Sequence, residues 1–216
     1  MRKKYILFDF DGTLMNTNGV VIGAWQASAE HFLGHKLPEN VILSTFGETL
    51  MYSVTYLFPD NDDDEVINYY REAQTELFAN GFEVRLFDGM LELLKELKVR
   101  GHRIAVVTSR TKESTLRYID SNGIRDYIDE YVCMEDVSSH KPDPESINVA
   151  LDKFGATPDE AIMLGDTKYD IGCANNAGVE NVLVDWGYDV HLENIRKAGY
   201  TVDNVIKEPM ELMKIV

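Results

Sequence analysis

The stretch Tyr5-Ile6-Leu7-Phe8-Asp9-Phe10-Asp11-Gly12-Thr13 decides the fold: an apolar run empties into two acids and a glycine. A short apolar run bounded by turn residues reads as a buried strand, and the residues from Asp9 onward read as the loop at its carboxyl end. Side chains of an extended chain alternate with period two, so Asp9 and Asp11 share a face and can point at one small volume. Two carboxylates that close repel. A site that keeps both must hold a metal ion or leave one acid protonated, which gives the pair two roles, nucleophile and acid or base. Gly12 lets the chain turn sharply toward a ligand, and the Thr13 hydroxyl can hold a carboxylate. A calcium loop starting at Asp9 is excluded by spacing, because its sixth and twelfth positions hold Leu14 and Val20 in place of glycine and glutamate.

The 216 residues suffice for one large domain or for a core with an insert, and the apolar share of 44% is that of an ordinary globular chain. Against 37 acidic residues stand 21 basic ones, a net charge of −16. That excess repels nucleic acid and anionic membrane alike, so neither is expected as a partner. A phosphate-bearing substrate meets the same repulsion and needs local cations at its site. The apolar run before Asp9 is too short for a secretion signal, and no stretch is long enough to span a bilayer. Cys133 and Cys173 lack CxxC spacing and are expected as buried, reduced thiols, so the expected location is cytoplasmic.

Outward from the first strand, residues from Asn18 to Asn80 carry helical periodicity with breaks at Gly34, Pro38, Gly47 and Pro59. Asn61 to Asp64 can start one of these helices and Gly81 can follow its end. From Leu86 the rhythm becomes helix and strand in alternation. Helices are expected over Met90–Arg100, from Lys112 to near Gly123, over Pro144–Phe154 and over Tyr169–Ala177. Strands are expected over His102–Val107, Tyr131–Met134, Ala161–Leu164 and Val179–Asp185, with a weaker one at Asn204–Ile206 and a short helix from Pro209. The fold expected is α/β: a Rossmann-like parallel sheet core flanked by helices, residues 1–16 and 87–216, with a helical-bundle cap, residues 17–86, inserted after the first strand. Two connections to such a cap make a hinge, and a lobe that closes over a site can exclude water from it.

In open α/β sheets, ligands bind outside the carboxyl ends of the strands. Those ends here supply Asp9 and Asp11, then Thr108-Ser109-Arg110, then the loop His140-Lys141-Pro142-Asp143-Pro144, then Gly165-Asp166 with Asp170. Taken singly, Thr108 reads as a helix cap and Lys141 as a solvated lysine. Together, acids, hydroxyls and a lysine at successive strand ends describe a site for a phosphoryl group and a hard divalent cation.

In these residues the chain resembles the haloacid dehalogenase-like hydrolases, and among them the helical-cap phosphatases such as phosphoglycolate phosphatase, pyrophosphatase and β-phosphoglucomutase. Four stretches carry the resemblance, in order along essentially the whole chain: Asp9-Phe10-Asp11-Gly12-Thr13-Leu14, Val106-Val107-Thr108, Lys141-Pro142-Asp143-Pro144, and Gly165-Asp166-Thr167-Lys168-Tyr169-Asp170. The resemblance implies Mg²⁺-dependent hydrolysis of a small-molecule phosphate ester or of pyrophosphate. Asp9 would attack phosphorus and form an aspartyl-phosphate, and Asp11 would protonate the leaving oxygen and then deprotonate water. Asp9 and Asp166 side chains and the Asp11 backbone carbonyl would hold Mg²⁺, supported by Asp170. Thr108 and Lys141 would bind phosphoryl oxygens, and backbone N–H groups of Phe10, Asp11 and Ser109 would complete the cradle. Glu48, Thr49, Arg110 and His140 are candidates for reading the leaving group. The expected partner is a small phosphorylated metabolite, and the chain is expected as a monomer or homodimer. Leu50 stands where phosphoglucomutase-like enzymes tend to carry an arginine, which weakens a mutase reading. A mutase and a non-catalytic phospho-ligand-binding protein are the alternatives to a phosphatase.

Overall fold

The computed structural model describes residues 3–187 and 192–216. The elements run β1 (Tyr5–Phe8), β2 (Met15–Asn16), α1 (Asn18–Leu33), α2 (Glu39–Leu43), α3 (Leu50–Leu57), α4 (Asp63–Ala79), β3 (Arg85–Leu86), α5 (Met90–Val99) and β4 (Arg103–Val107). They continue with α6 (Lys112–Ser121), β5 (Glu130–Val132), α7 (Glu145–Phe154), β6 (Ala161–Gly165), α8 (Lys168–Ala177), β7 (Glu180–Val184), α9 (Leu192–Lys197) and β8 (Asn204–Ile206). Six strands form a sheet in the order β5-β4-β1-β6-β7-β8, and every pairing in it is parallel.

The alternation of side chains explains why the sheet is covered on both faces. Ile6, Phe8, Ile104, Val106, Ile162 and Leu164 point to one side, where α5 brings Met90, Leu93, Leu94 and Leu97. Tyr5, Leu7, Ala105, Val107, Ala161 and Met163 point to the other, against Ile147, Ala150 and Leu151 of α7 and Cys173 of α8. All four residues of β1 are buried, as a central strand of a parallel sheet requires. Cys133 and Cys173 are both free and buried.

The helices α1 to α4 make a separate core, in which Trp25 stacks on Tyr70 with ring centroids 4.0 Å apart. Asp62 caps α4, its carboxylate accepting from Asp64 and Glu65 N–H groups at 3.0 and 3.1 Å. Both connections to this helical segment are paired: β2 and β3 form a two-stranded antiparallel ribbon, Met15 opposite Leu86. Sequence periodicity is silent about pairs this short. The third expected strand is shifted, because the Asp136 carboxylate takes the Cys133 N–H at 2.8 Å and a 3₁₀ turn starts at Met134. The chain ends in a 3₁₀ helix over Pro209–Lys214 packed on α5, and α9, which seats Ile195 on Leu183 and Ile171, was not expected. Among the described residues, no helix is long and apolar enough to cross a membrane.

Two positions on α5 test this layering. Leu94 is fully buried and Val99 is 82% exposed. Leu94→Ala is expected to cost about 2–5 kcal/mol in urea unfolding, and Val99→Ala about 0.5 kcal/mol or less. Equal effects at the two positions contradict the assignment of faces.

Candidate active site

The carboxyl end of β1 is fixed before any ligand arrives. Asp9 N–H donates to the Leu164 carbonyl at 2.9 Å, continuing the ladder to β6. Phe10 then drops into the core, fully buried and stacked on Tyr118, so the chain leaves the extended conformation and does not present Asp9 and Asp11 as period-two neighbours on a strand. Gly12 turns the chain at φ +75°, and a Cβ there would collide with the Asp166 carboxylate. The Thr13 hydroxyl donates to Asp166 Oδ1 at 3.2 Å.

Three more strand ends converge on Asp9. Thr108 follows β4, and its hydroxyl accepts the Arg110 N–H at 3.1 Å. Asp166 follows β6. Thr167 and Asp170 cap α8 reciprocally, Asp170 Oδ2 accepting from the Thr167 N–H at 3.0 Å and from its hydroxyl at 2.6 Å. Lys141 arrives from the loop after β5 and is buried. Its ammonium donates to Asp9 Oδ1 at 2.7 Å, Asp170 Oδ1 at 2.6 Å and the Val107 carbonyl at 2.8 Å. Among the described residues, the backbone N–H groups of Phe10, Asp11 and Ser109 meet no acceptor in the chain. Three such donors beside Thr108 and Lys141 suit an anion.

Asp9, Asp166 and Asp170 bring carboxylate oxygens within 4.8 Å of one another. Burial first, then Asp170, push the Asp9 carboxyl up to about 8 against the pull of Lys141. Burial, Asp170 and Asp9 likewise raise Asp166 well above the usual carboxylate range. For Lys141, burial opposes its charge, but Asp170 and Asp9 outweigh burial and keep the ammonium protonated. One ammonium among three buried carboxylates leaves an excess of negative charge, and the donors are hard oxygens, so the cluster fits a divalent cation such as Mg²⁺. Asp170 has donors on both oxygens, from Lys141 and Thr167. That leaves Asp9 and Asp166 as the better direct ligands.

Asp11 stands apart from this cluster. Arg110 grips it with two hydrogen bonds, Nε to Oδ2 at 3.0 Å and Nη2 to Oδ1 at 2.7 Å, and the Thr17 hydroxyl donates to Oδ1 at 2.5 Å. Burial works to raise its pKa, but Arg110 and Thr17 prevail and hold the carboxyl below its ordinary value. Arg110 is itself braced by the Ser114 hydroxyl at 2.8 Å and by the Tyr118 ring at 5.1 Å.

A cavity of about 480 Å³ opens over these groups, between the strand ends and the helical segment. Asp9, Asp11, Thr108, Ser109, Arg110 and Lys141 line it, as do Asp166, Asp170 and, from the helical side, Glu48. Gly47, at φ +84°, lies against Tyr169 and Thr167, and the Tyr169 hydroxyl donates to Glu48 across the two parts of the chain. Thr49 is occupied elsewhere, because its side chain accepts from the Tyr52 N–H and caps α3. Thr49, His140 and the Phe10 side chain are not among the residues lining the cavity. Sequence reasoning missed Asn18, Tyr70 and Gln74, which do line it. Tyr70 and Gln74 are four apart on α4, a spacing that reads as core-facing; only the polarity of Gln74 marks that face as lining something other than core.

Residues 6–184 match the family model described as haloacid dehalogenase-like hydrolase. A curated relative, pyrophosphatase PpaX from Bacillus pumilus, is 32% identical over 183 residues, 84% of this chain and 82% of the relative. Among solved structures, a predicted phosphatase from Clostridium acetobutylicum superposes with TM-score 0.82 at 26% identity, covering 100% of this chain and 98% of that one. A predicted phosphoglycolate phosphatase from Haemophilus somnus shares the fold, with TM-score 0.85 at 23% identity and the same coverage.

The raised carboxyl of Asp9 sets a pH signature for metal-free protein. A folded-state pKa above the unfolded one stabilises the fold fully below the unfolded value, here near 3.8, and that stabilisation is lost as pH rises through about 8. A cation at the cluster competes with the proton. The rise in Tm on adding Mg²⁺, measured against chelator, is therefore expected to be several degrees larger at pH 8 than at pH 5.5. A rise of the same size at both, or none at either, contradicts the cation site.

Proposed function

Because the chain belongs to the haloacid dehalogenase-like hydrolases, we propose that it is a Mg²⁺-dependent phosphatase that passes a phosphoryl group from a small phosphorylated metabolite to Asp9 and then to water. The observation that carries this reading is the convergence of Asp9, Lys141 and Asp166 at the bottom of a cavity whose wall holds Asp11. The name of the curated relative supports release from pyrophosphate, and the fold neighbour makes phosphoglycolate a second compound to try.

Lys141 occupies one oxygen of Asp9, which leaves the other to attack phosphorus. As the Asp9 oxygen-to-phosphorus bond forms, the bond from phosphorus to the leaving oxygen breaks. Thr108, Lys141 and the free N–H groups of Phe10, Asp11 and Ser109 receive the phosphoryl oxygens, donors fixed in advance where charge develops. Held as a carboxylate by Arg110 and Thr17, Asp11 takes a proton from the water that hydrolyses the aspartyl-phosphate, and it returns that proton to the next leaving oxygen. A bound Mg²⁺, held by Asp9, Asp166 and the Asp11 carbonyl with Asp170 behind them, would offset charge on the phosphoryl oxygens. The β2–β3 ribbon joins both connections of the helical segment, residues 17–86, and we take it as the hinge on which that segment opens and closes over the site, with the contact from Tyr169 to Glu48 as its latch.

Phosphate release with Mg²⁺ from pyrophosphate, phosphoglycolate and hexose phosphates tests the reading. Asp9→Asn is expected to lower kcat by at least about 10⁴-fold and Lys141→Ala by about 10²–10³-fold, both with unchanged circular dichroism. An Asp9→Asn protein that keeps turning over sinks the proposal.

A further inference from the structure

We infer that the leaving group is an uncharged alcohol carrying further hydroxyl groups, recognised in the cavity by Asn18, Tyr70 and Gln74. The inference rests on the phosphatase reading but sets aside pyrophosphate and phosphoglycolate, the two compounds that the relatives' names suggest. These three side chains are 6%, 7% and 8% exposed, and all three line the cavity. Among the described residues, the Asn18 amide has no hydrogen-bond partner in the protein. Gln74 spends its Nε2 on the Tyr70 hydroxyl at 2.9 Å, which leaves its carbonyl oxygen and the Tyr70 O–H without protein partners. None of the three is sealed from solvent without a partner, so their free polar atoms open into the cavity. Three in one cavity with capacity left over form a belt shaped for a ligand that donates and accepts.

The belt is rigid and well placed. Trp25 stacks under Tyr70 with centroids 4.0 Å apart, and Gln74 fixes its hydroxyl from the side. Asn18 follows Thr17, whose hydroxyl donates to Asp11 at 2.5 Å, and Asp11 lines the same cavity as Tyr70 and Gln74. Volume and charge point the same way. Pockets that bury organic ligands span roughly 300–1,000 Å³, and this one, at about 480 Å³, far exceeds what a phosphoryl group needs when a water's share is about 30 Å³. The deep cations are already engaged, Lys141 by Asp9 and Asp170, Arg110 by Asp11. Arg71 and Arg117 also line the cavity, but so do Glu48, Glu113 and Glu135, so the remaining lining charges carry no positive excess for a second anion.

A site built to hydrogen-bond hydroxyl groups discriminates steeply against ligands that lack them, because its own groups are then left unpaired. The test measures kcat/KM with Mg²⁺ for acetyl phosphate, pyrophosphate, phosphoglycolate, glucose 6-phosphate and adenosine monophosphate. The wild type is expected to prefer glucose 6-phosphate or adenosine monophosphate over pyrophosphate and phosphoglycolate by more than about tenfold, and the better of the two tells a sugar from a nucleoside. Gln74→Leu, Tyr70→Phe and Asn18→Ala are each expected to lower the ratio of kcat/KM for that ester to kcat/KM for acetyl phosphate by about five- to tenfold. Tyr70→Phe keeps the ring and its packing on Trp25, so it decides the matter if Gln74→Leu does not fold. Equal or better turnover of pyrophosphate or phosphoglycolate, or an unchanged ratio in Tyr70→Phe, overturns the inference while leaving the phosphatase standing. Folded wild type that turns over no compound, acetyl phosphate included, overturns both.

Discussion

One ammonium surrounded by three carboxylates is the constraint on which the rest depends. Lys141 meets Asp9 and Asp170 at 2.7 and 2.6 Å in a place with almost no solvent, and Asp166 completes the crowd. Burying so many like charges costs several kcal/mol per ion unless each is paired or neutralised. The fold meets the cost by bringing four separate strand ends to one point, each stiffened locally: a ladder bond at Asp9, a reciprocal cap at Thr167 and Asp170, and a turn at Gly12 that admits no side chain. What pairing does not cover is an excess of negative charge that a divalent cation would offset.

The second acid is handled differently. Asp11 lies within reach of Arg110 and Thr17 and is kept ionised, while burial and neighbouring acids favour the protonated form of Asp9 in metal-free protein. The two aspartates, separated by one residue, are thus in different states, and Asp9 would need a cation at the cluster to ionise it before it could act as a nucleophile. Phe10, between them, is pulled into the core, and that anchoring lets the two neighbours face different surroundings.

Much of this was legible in the sequence because it rests on local pattern. Short continuous apolar runs bounded by turn residues marked the core strands to within a residue or two, and residues just past their ends supplied Asp9, Thr108, Lys141 and Asp166, since a parallel sheet must bring those ends together. The resemblance in four stretches added roles to residues whose placement the strand pattern had already drawn. Less legible were features set by tertiary contact. The β2–β3 ribbon is two residues on each side, too short for any periodicity. Arg110 could be named but its grip on Asp11, 99 positions away, could not be seen. Thr49 beside Glu48 looked like a ligand reader and is a helix cap. Gln74 and Tyr70 were hidden because a cavity-facing helix and a core-facing helix share the same 3.6-residue stripe.

The central claim is that Asp9 itself carries the phosphoryl group. The most direct measurement is acid quenching of the enzyme during turnover of acetyl phosphate with Mg²⁺, followed by peptide mass spectrometry of the region around Asp9. The account predicts one added phosphoryl group on the peptide containing Asp9, absent in Asp9→Asn. A phosphoryl group found on another residue, or the same mass added to the Asp9→Asn protein, would contradict it.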